Sequence, residues 1–404
     1  MRISTAQMFN QNLTSVLDRQ SSTNKILEQI SSGKKVNTAG DDPVAAIGID
    51  NLYQQNALAD QFVKNIDYAT GHLALSESKL GSAESVVSST KDQVLRAING
   101  TVTASERQTI ADELKSSLEE LLAIANSKDE SGNYLFSGNE TGTQPFAFDT
   151  AGNIVYSGDS GVRESVVASG VTVGTNTPGD SAFMNAPNAM GDFSVNYLPG
   201  QTGEFIVESA KLAPPAVHTP VAPESYTFNF TDNGVGGIQL EVFDSAATSQ
   251  IIVPNFDPSS SVDFNGISVK LDGMAAAGDS FTMAPETEVS IFDTINQAIA
   301  VLEDPTKANT PQGNSELAQI LDNIDSGRNR IDFDRGIAGN SLKSIESYRS
   351  THADEKIVNS SALSMLEDLD FASAITEFEK QQVALNAVSS LFSRVGSTSL
   401  FDYL

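Results

Sequence analysis

Between Leu52 and Ala97 the chain reads LYQQNALADQFVKNIDYATGHLALSESKLGSAESVVSSTKDQVLRA. Steps of three and four link Leu52, Gln55, Ala59, Phe62, Ile66, Ala69, Leu73, Ser76, Leu80, Ala83, Val87, Thr90, Val94 and Ala97, the heptad spacing that puts these side chains on one helix face. No proline interrupts the run. At ~1.5 Å per residue the helix is about 70 Å long, more than a compact globule needs. Asp42-Pro43 marks its start, an acid suited to the N-cap followed by a proline suited to the first helical position. Asn99-Gly100 marks its end. Thr103-Ala104-Ser105-Glu106 then offers a capping box for a second helix. That helix carries Ile110, Leu114, Ser117, Leu121 and Ile124 on one face, and Ser131-Gly132-Asn133 is expected to close it.

The same spacing returns near both ends of the chain. Phe292, Ile295, Ile299 and Leu302 predict a short helix stopped by Asp304-Pro305, and Leu317, Ile320, Ile324, Gly327, Ile331, Ala338, Ile345 and Tyr348 predict a long one. The last seam is Phe371, Ala374, Phe378, Gln381, Leu385, Val388, Phe392 and Val395; the first is Leu13, Val16, Gln20, Thr23, Leu27 and Ile30. Gln20, Thr23 and Gln381 sit where a self-sufficient coiled coil would carry Leu or Ile. Such terminal helices bury too little on their own to offset their ordering entropy, so they are expected to wait for neighbours.

Residues 138–290 read differently. They hold 18 acidic residues against Arg163, Lys211 and Lys270, and 11 of the 14 prolines. Short alternating segments such as Ser225-Tyr226-Thr227-Phe228-Asn229-Phe230 and Ile267-Ser268-Val269-Lys270-Leu271 lie between Gly, Asp and Asn turns, the pattern of β-strands. The expected fold class is therefore α+β: a long antiparallel helical rod formed by both chain ends, with an inserted β-rich domain. The expected domains are 1–42 with 360–404 as a terminal helical assembly domain, 43–137 with 286–359 as a helical rod domain, and 138–285 as an acidic β-rich outer domain.

Composition excludes several function classes. The 404 residues suffice for two or three domains. Without Cys the chain has no disulfide, thiolate metal site or Cys nucleophile. A net charge of −28 repels nucleic acid and anionic lipid, so neither nucleic-acid binding nor membrane insertion is expected. No run reaches the ~18 apolar residues of a membrane helix, and the chain starts without the apolar stretch of a cleavable signal. Only His72, His218 and His352 are available as neutral-pH bases. Gly158-Asp159-Ser160-Gly161 resembles a serine-nucleophile turn, but Val162 follows and no His is placed to serve it; a β-turn is the better reading. Gly234-Val235-Gly236-Gly237 lacks the Lys-Ser/Thr of a phosphate loop and reads as a hairpin turn. Asp149, Asn153 and Asp159 lack the spacing of a calcium loop. No catalytic residue, metal site or cofactor is expected, and the chain is read as no enzyme.

Four ordered motifs carry a resemblance. Ile30-Ser31-Ser32-Gly33-Lys34-Lys35-Val36-Asn37 with Asp41-Asp42-Pro43-Val44-Ala45-Ala46 resembles the opening motif of bacterial flagellin-type proteins, in the Asp-Asp-Pro-Val form of the hook-associated protein 3 (junction-protein) family. Asn99-Gly100-Thr101 with Arg107, Ile110, Glu113 and Ala125-Asn126 is similar to the hinge and helix shared across the flagellin superfamily. Gly132-Asn133-Tyr134-Leu135-Phe136-Ser137-Gly138, followed by Pro145-Phe146, and the ending Ser397-Thr398-Ser399-Leu400-Phe401-Asp402-Tyr403-Leu404 resemble the junction-protein branch. The matches cover roughly residues 1–150 and 285–404, and leave the central module's fold open.

The resemblance implies a structural adaptor between hook-associated protein 1 and flagellin, arranged as a ring of its own copies. It implies handling by a flagellar export chaperone, and export to the extracellular flagellum through the secretion channel without a cleaved signal. The assembly interface would then comprise Leu13, Val16, Leu27, Ile30, Phe378, Leu385, Val388, Phe392 and Val395, and the family motif Ser32, Gly33, Asp41, Asp42, Pro43, Asn99, Gly100 and Arg107. A filament flagellin, which is a repeating polymer subunit, and a surface- or glycan-binding protein acting through the β module are the other readings.

Overall fold

The computed structural model describes residues 5–98, 102–213 and 217–397, with side chains at all of these but 5, 6, 8, 9, 392 and 394–397. Among them six α-helices carry most of the chain: α1 Thr5–Ser32, α2 Pro43–Ile98, α3 Ala104–Ala125, α4 Ile291–Glu303, α5 Pro311–Glu367 and α6 Phe371–Ser397. Fourteen strands lie between α3 and α4, so the chain is α+β with helical ends and a β insertion. Contacts group it into two units, Met1–Lys64 with Ser347–Leu404, and Asn65–Glu346; α2 and α5 contribute residues to both.

In the Asn65–Glu346 unit the heptad face of α2 is the core. Ile66, Ala69, Leu73, Ser76, Leu80, Ala83, Val87, Thr90, Val94 and Ala97 are all buried. Of these, Leu80, Ala83, Val87, Val94 and Ala97 meet Leu114, Leu118 and Leu121 of α3, Ile295 and Ala298 of α4, and Leu317, Ile324 and Ile331 of α5 in one apolar cluster. Buried Thr90 satisfies its hydroxyl by donating to Val86 O at 3.0 Å. Gly327 lets α4 approach α5 closely, since a Cβ there would lie 2.7 Å from Ile291 Cδ1. Register is marked on the surface by Lys91 to Asp325 at 2.7 Å and by Arg335 to Glu77 and Glu84 at 2.7 and 2.9 Å. The capping box forms as expected: Thr103 N donates to Glu106 Oε2 at 2.8 Å while Thr103 Oγ1 accepts from Glu106 N at 3.3 Å.

One helix end differs from expectation. α3 stops at Ala125, ahead of Ser131-Gly132-Asn133. The Asn126 side chain clasps the backbone of Phe146, accepting from its N–H at 3.0 Å and donating to its carbonyl at 2.9 Å. The 131–133 segment is instead a turn on Asp129, whose Oδ1 accepts from Ser131 N and Asn133 N at 2.9 and 2.8 Å.

The acidic stretch is divided between two cores. Hairpins β1 Phe146–Phe148 with β2 Ile154–Tyr156, and β3 Glu164–Ala168 with β4 Val171–Gly174, precede a π-turn at Asp180–Met184. Phe146, Ile154, Ala182 and Phe183 are buried in the helical cluster. Ser181 on the π-turn donates to Asp334 Oδ2 of α5 at 2.9 Å, and burial pushes the Asp334 carboxyl above its usual range. β5 Ala186–Pro187 then pairs with β14 Glu288–Val289, closing the neck of a sandwich. Within it come β6 Phe193–Tyr197, β7 Glu204–Leu212, β8 Tyr226–Asp232, β9 Ile238–Asp244, β10 Ser249–Val253, β11 Val262–Phe264, β12 Ile267–Met274 and β13 Ser280–Pro285. A five-stranded sheet in the order β10-β9-β8-β13-β6 and a three-stranded sheet β11-β12-β7 are antiparallel throughout. Phe205, Val207, Val269 and Leu271 of one meet Phe228, Phe230, Val242 and Phe281 of the other in a separate apolar cluster, the alternate-residue packing of a sandwich. Gly234-Val235-Gly236-Gly237 turns the chain from β8 to β9. Gly158-Asp159-Ser160-Gly161 is also a turn; Asp159 Oδ1 accepts from Gly161 N at 2.7 Å, and Ser160 bonds Asp180.

The other unit holds α1, α6 and the adjoining parts of α2 and α5. Val36, Ala45 and Ile49 form its small buried cluster, with Leu363 and Leu366 against it.

Candidate assembly interface

α1 and α6 lie against each other, and Arg19 Nη1 donates to Gln381 Oε1 across the pair at 3.0 Å. On α1 the half-buried positions Asn12, Val16, Thr23, Ile26 and Ile30 form one stripe at helical spacing. One residue further round, Leu13, Leu17 and Leu27 are exposed, Leu17 by 57%. On α6, Ala374 is buried and Phe378, Gln381, Ala384, Leu385 and Val388 are half-buried. Phe371, Ile375, Val383 and Leu391 are exposed, the last two by 69% and 61%. The pair therefore turns many of its small and polar residues inward and leaves leucines outside, the reverse of a pair that is stable alone. Large apolar side chains left in a row on one helix face mark a surface that another molecule covers.

Of the residues expected at an interface, Val16, Ile30, Phe378, Leu385 and Val388 are half-buried between the two helices, while Leu13 and Leu27 face outward. Phe392 and Val395 lie on α6, but their side chains fall outside the described residues. Leu17, Ile375, Val383 and Leu391 were missed by a reading that traced one seam per helix. The signal was present as a second stripe, Leu13 with Leu17 and Phe371 with Ile375, each four residues apart.

The motif residues Ser32, Gly33, Asp41, Asp42 and Pro43 come together where α1 ends and α2 begins. Gly33 takes φ +70°, the left-handed conformation that closes a helix, and the Phe371 ring lies 3.6 Å from where its Cβ would be. Ser32 Oγ accepts from Lys34 N at 3.2 Å. The segment is then stitched to the α5–α6 connection: Lys35 N donates to Glu367 O at 2.6 Å and Leu369 N to Gly33 O at 3.0 Å. Glu367, nearly buried, takes Tyr53 Oη at 2.8 Å and the Lys34 ammonium. That hydrogen bond holds Lys34 above its usual pKa. Asp41 accepts from Thr38 N at 2.9 Å and Asn37 N at 3.1 Å and pairs with Lys25 at 2.8 Å. The Lys25 hydrogen bond, joined by the Thr38 N–H, holds the Asp41 carboxyl far below the carboxylate range. Asp42 Oδ1 caps α2 by accepting from Val44 N and Ala45 N at 3.1 and 3.0 Å. Asp370 caps α6 in the same way through Ala372 N at 3.0 Å. The sequence gives no local sign of Glu367 and Tyr53, because partners more than 300 positions apart leave no local pattern; Asp370, by contrast, caps its own first turn, a local signal in Asp370-Phe371-Ala372-Ser373.

Arg107 belongs to the other unit. It stands half-buried in the first turn of α3, and among the described residues its Nε and Nη1 have no hydrogen-bond partner. Asn99 and Gly100 lie outside the described residues. The three histidines are each engaged locally: His72 3.8 Å from Asp129, with burial the main cause of its lowered pKa, His218 2.8 Å from Glu224, and His352 3.0 Å from Glu355. Among the described residues no helix is long and apolar enough to cross a membrane.

Residues 3–141 match the family model of the bacterial flagellin N-terminal helical region. The whole chain is 24% identical to flagellar hook-associated protein 3 of Escherichia coli (strain K12), covering 99% of that protein. Among solved structures, flagellar hook associated protein-3 from Legionella pneumophila superposes with TM-score 0.70 at 28% identity, covering 79% of this chain and 98% of that one. The flagellar junction protein FlgL from Legionella pneumophila gives 0.68 at 28% identity over 79% of this chain and 99% of that one. These likenesses agree with the motif that caps α2 and closes α1, and with a β insertion between helical ends. Over its full length the chain is thus similar to flagellar hook-associated protein 3, and its first third matches the bacterial flagellin N-terminal helical region.

Proposed function

We propose that this chain is a non-enzymatic structural adaptor that joins the bacterial flagellar hook to the flagellin filament by packing its terminal helices against those of neighbouring subunits. Hook-associated protein 1 lies on one side, flagellin on the other, and further copies of the chain complete a ring. The observation that carries this reading is the apolar surface of α1 and α6, with Leu13, Leu17, Leu27, Val383 and Leu391 exposed, in a chain similar from end to end to a hook-associated protein 3.

Residues 1–42 and 360–404 serve as the assembly segment, Leu13, Val16, Leu27, Ile30, Phe378, Leu385, Val388, Phe392 and Val395 supply its contacts, and the joint around Gly33 and Glu367 orients it. Before assembly these ends are unfolded, held by an export chaperone, and pass through the secretion channel without a cleaved signal. Residues 43–137 with 286–359 are the rod and 138–285 face outward, since so acidic a surface resists burial against its own copies. The test is electron microscopy of a deletion strain with labelled protein restored. Hooks without filaments, flagellin in the medium, and rescue with label in a narrow band at the hook tip are expected. Label spread along the filament would instead make the chain a polymer subunit, a filament flagellin.

A further inference from the structure

Beside the sandwich neck a cleft of about 750 Å³ opens between the outer edge of β6 and the helices α4 and α5, a volume within the range of roughly 300–1,000 Å³ found for small-molecule sites. Strand pairing makes one wall. Leu198 N donates to Ser280 O at 3.1 Å and Glu286 N to Asp192 O at 3.0 Å, so the alternation of an antiparallel ladder turns the peptide groups of Phe193, Val195 and Tyr197 away from β13. Asn188 Nδ2 and Gln312 Nε2 close this edge at its two ends, donating to Phe193 O and Tyr197 O, each at 3.1 Å. Val195, between them, has its side chain in the sandwich core. Its outward peptide edge, without a hydrogen-bond partner among the described residues, lines the cleft.

The facing wall holds side-chain groups that the fold leaves unused. Asn323 of α5 is 5% exposed. Its Oδ1 accepts from Ala189 N at 3.0 Å, which fixes the amide and leaves Nδ2, with no partner among the described residues, to the cleft that Asn323 lines. On α4, Asp293 and Asn296 stand three residues apart and so share a face. Both line the cleft, and Asp293 Oδ1 and Asn296 Nδ2 are buried without a hydrogen-bond partner. Burial, reinforced by the Glu286 charge, holds the Asp293 carboxyl above its usual range. The lining's cation, Lys307, is held by Glu316 at 2.7 Å. Buried polar groups without partners are costly and scarce in native structures; here three of them meet at one cleft.

We propose that this cleft binds a neutral, hydroxyl-rich molecule of mono- to disaccharide size, whose hydroxyls lie between the Asp293 carboxyl and the amides of Asn296 and Asn323. The unused groups select the occupant. A hydroxyl both donates and accepts, so one such group serves an unused acceptor and an unused donor together. A cation is repelled by the amide N–H groups, an anion by Asp293 and Glu286, and an apolar ligand would leave all three groups unpaired. The site uses no residue of α1 or α6, so it adds a ligand to the adaptor without altering its assembly.

Saturation-transfer NMR on the full-length protein, with glucose, galactose, mannose and N-acetylglucosamine as probes, should show transfer to at least one of them, and titration gives its affinity. Glucosamine, a cation, and glucuronate, an anion, should bind roughly tenfold more weakly. Asn323→Asp keeps the oxygen that Ala189 N uses and removes the donor, and should weaken binding of the sugar about tenfold. Ala300→Phe, at an exposed α4 position on the cleft, should abolish binding by filling the space, and it decides the matter alone if Asn323→Asp folds poorly by circular dichroism. No transfer to any of the four sugars, as expected of a cleft that holds only water, would overturn the assignment. Equal or tighter binding of glucosamine or glucuronate, or binding indifferent to Ala300→Phe, would do the same. The readout needs no hook or filament, so its failure is distinct from failure of the adaptor role.

Discussion

Leu80 of α2 and Leu385 of α6 occupy equivalent places in seams of the same spacing, yet Leu80 is fully buried and Leu385 is half-buried. The α2 seam is roofed by α3, α4 and α5, so the chain covers it from its own length. The α6 seam meets α1, whose facing stripe offers Asn12, Val16, Thr23, Ile26 and Ile30. Identical periodicity thus records two different states: a core already closed, and a seam left half open, which the proposed function closes with another molecule. Burial depends on how many elements reach a seam, and a lone helix pair cannot surround a side chain.

The comparison breaks most severely at Leu385. Leu385→Asp places a carboxylate on the face proposed to pack between subunits, and an unpaired buried charge costs several kcal/mol. The monomer should keep near-normal circular dichroism and export, while filament attachment is lost and flagellin appears in the medium. Normal filaments on such cells would remove the terminal helices from the mechanism. The converse test is Leu80→Ala, expected to destabilise the purified monomer by about 3 kcal/mol in urea titration, as large-to-small changes in closed cores do. Leu13→Ala, at an exposed position, should change monomer stability by less than about 0.5 kcal/mol. Equal losses would mean that α1 is already buried by its own chain.

A smaller effect concerns the joint. Asp41 is held below its ordinary pKa chiefly by Lys25, so its ionised form is favoured in the folded chain. Its stabilisation is whole above the unfolded-state value of about 3.9 and fades as pH falls through and below that value. In the assembled protein, acid below about pH 4 should therefore speed cleavage after Lys34 and Lys35 by an acid-tolerant protease of tryptic specificity. In Asp41→Asn the fast rate should already hold at neutral pH. A cleavage profile unchanged by the substitution would detach Asp41 from the joint. The smallest effect on function is expected from excision of the sandwich. Glu286 N donates to Asp192 O at 3.0 Å, so a short linker can replace residues 193–285 without straining the neck. Filaments should stay attached; their loss from a shortened protein that is exported and folded would put a required contact on the sandwich.

Local signals in the chain were sufficient for the helices. The Asp42-Pro43 start, the Thr103 to Glu106 box and the Asp304-Pro305 stop all act within one turn, and each stands where it was read. The α3 end failed because Asn126 is held by Phe146, twenty residues on, and a distant clasp competes with helix propagation without altering the local pattern. The joint was half legible: Gly33 and Asp42 follow from backbone conformation and capping, whereas Glu367 is recognised only when α5 returns to Lys34 and Tyr53.

By itself the sequence determined the helical spans, the acidic β insertion and the motif residues, since spacing, charge and capping are properties of neighbours along the chain. Only the tertiary structure decided that Phe146 and Phe183 join the helices while Phe228 and Phe281 form a sandwich of their own. It alone decided that Leu13, Leu17 and Leu27 of α1 look outward. Each of these is a choice among partners distant in sequence, settled by which apolar faces and strand edges the completed fold brings within reach.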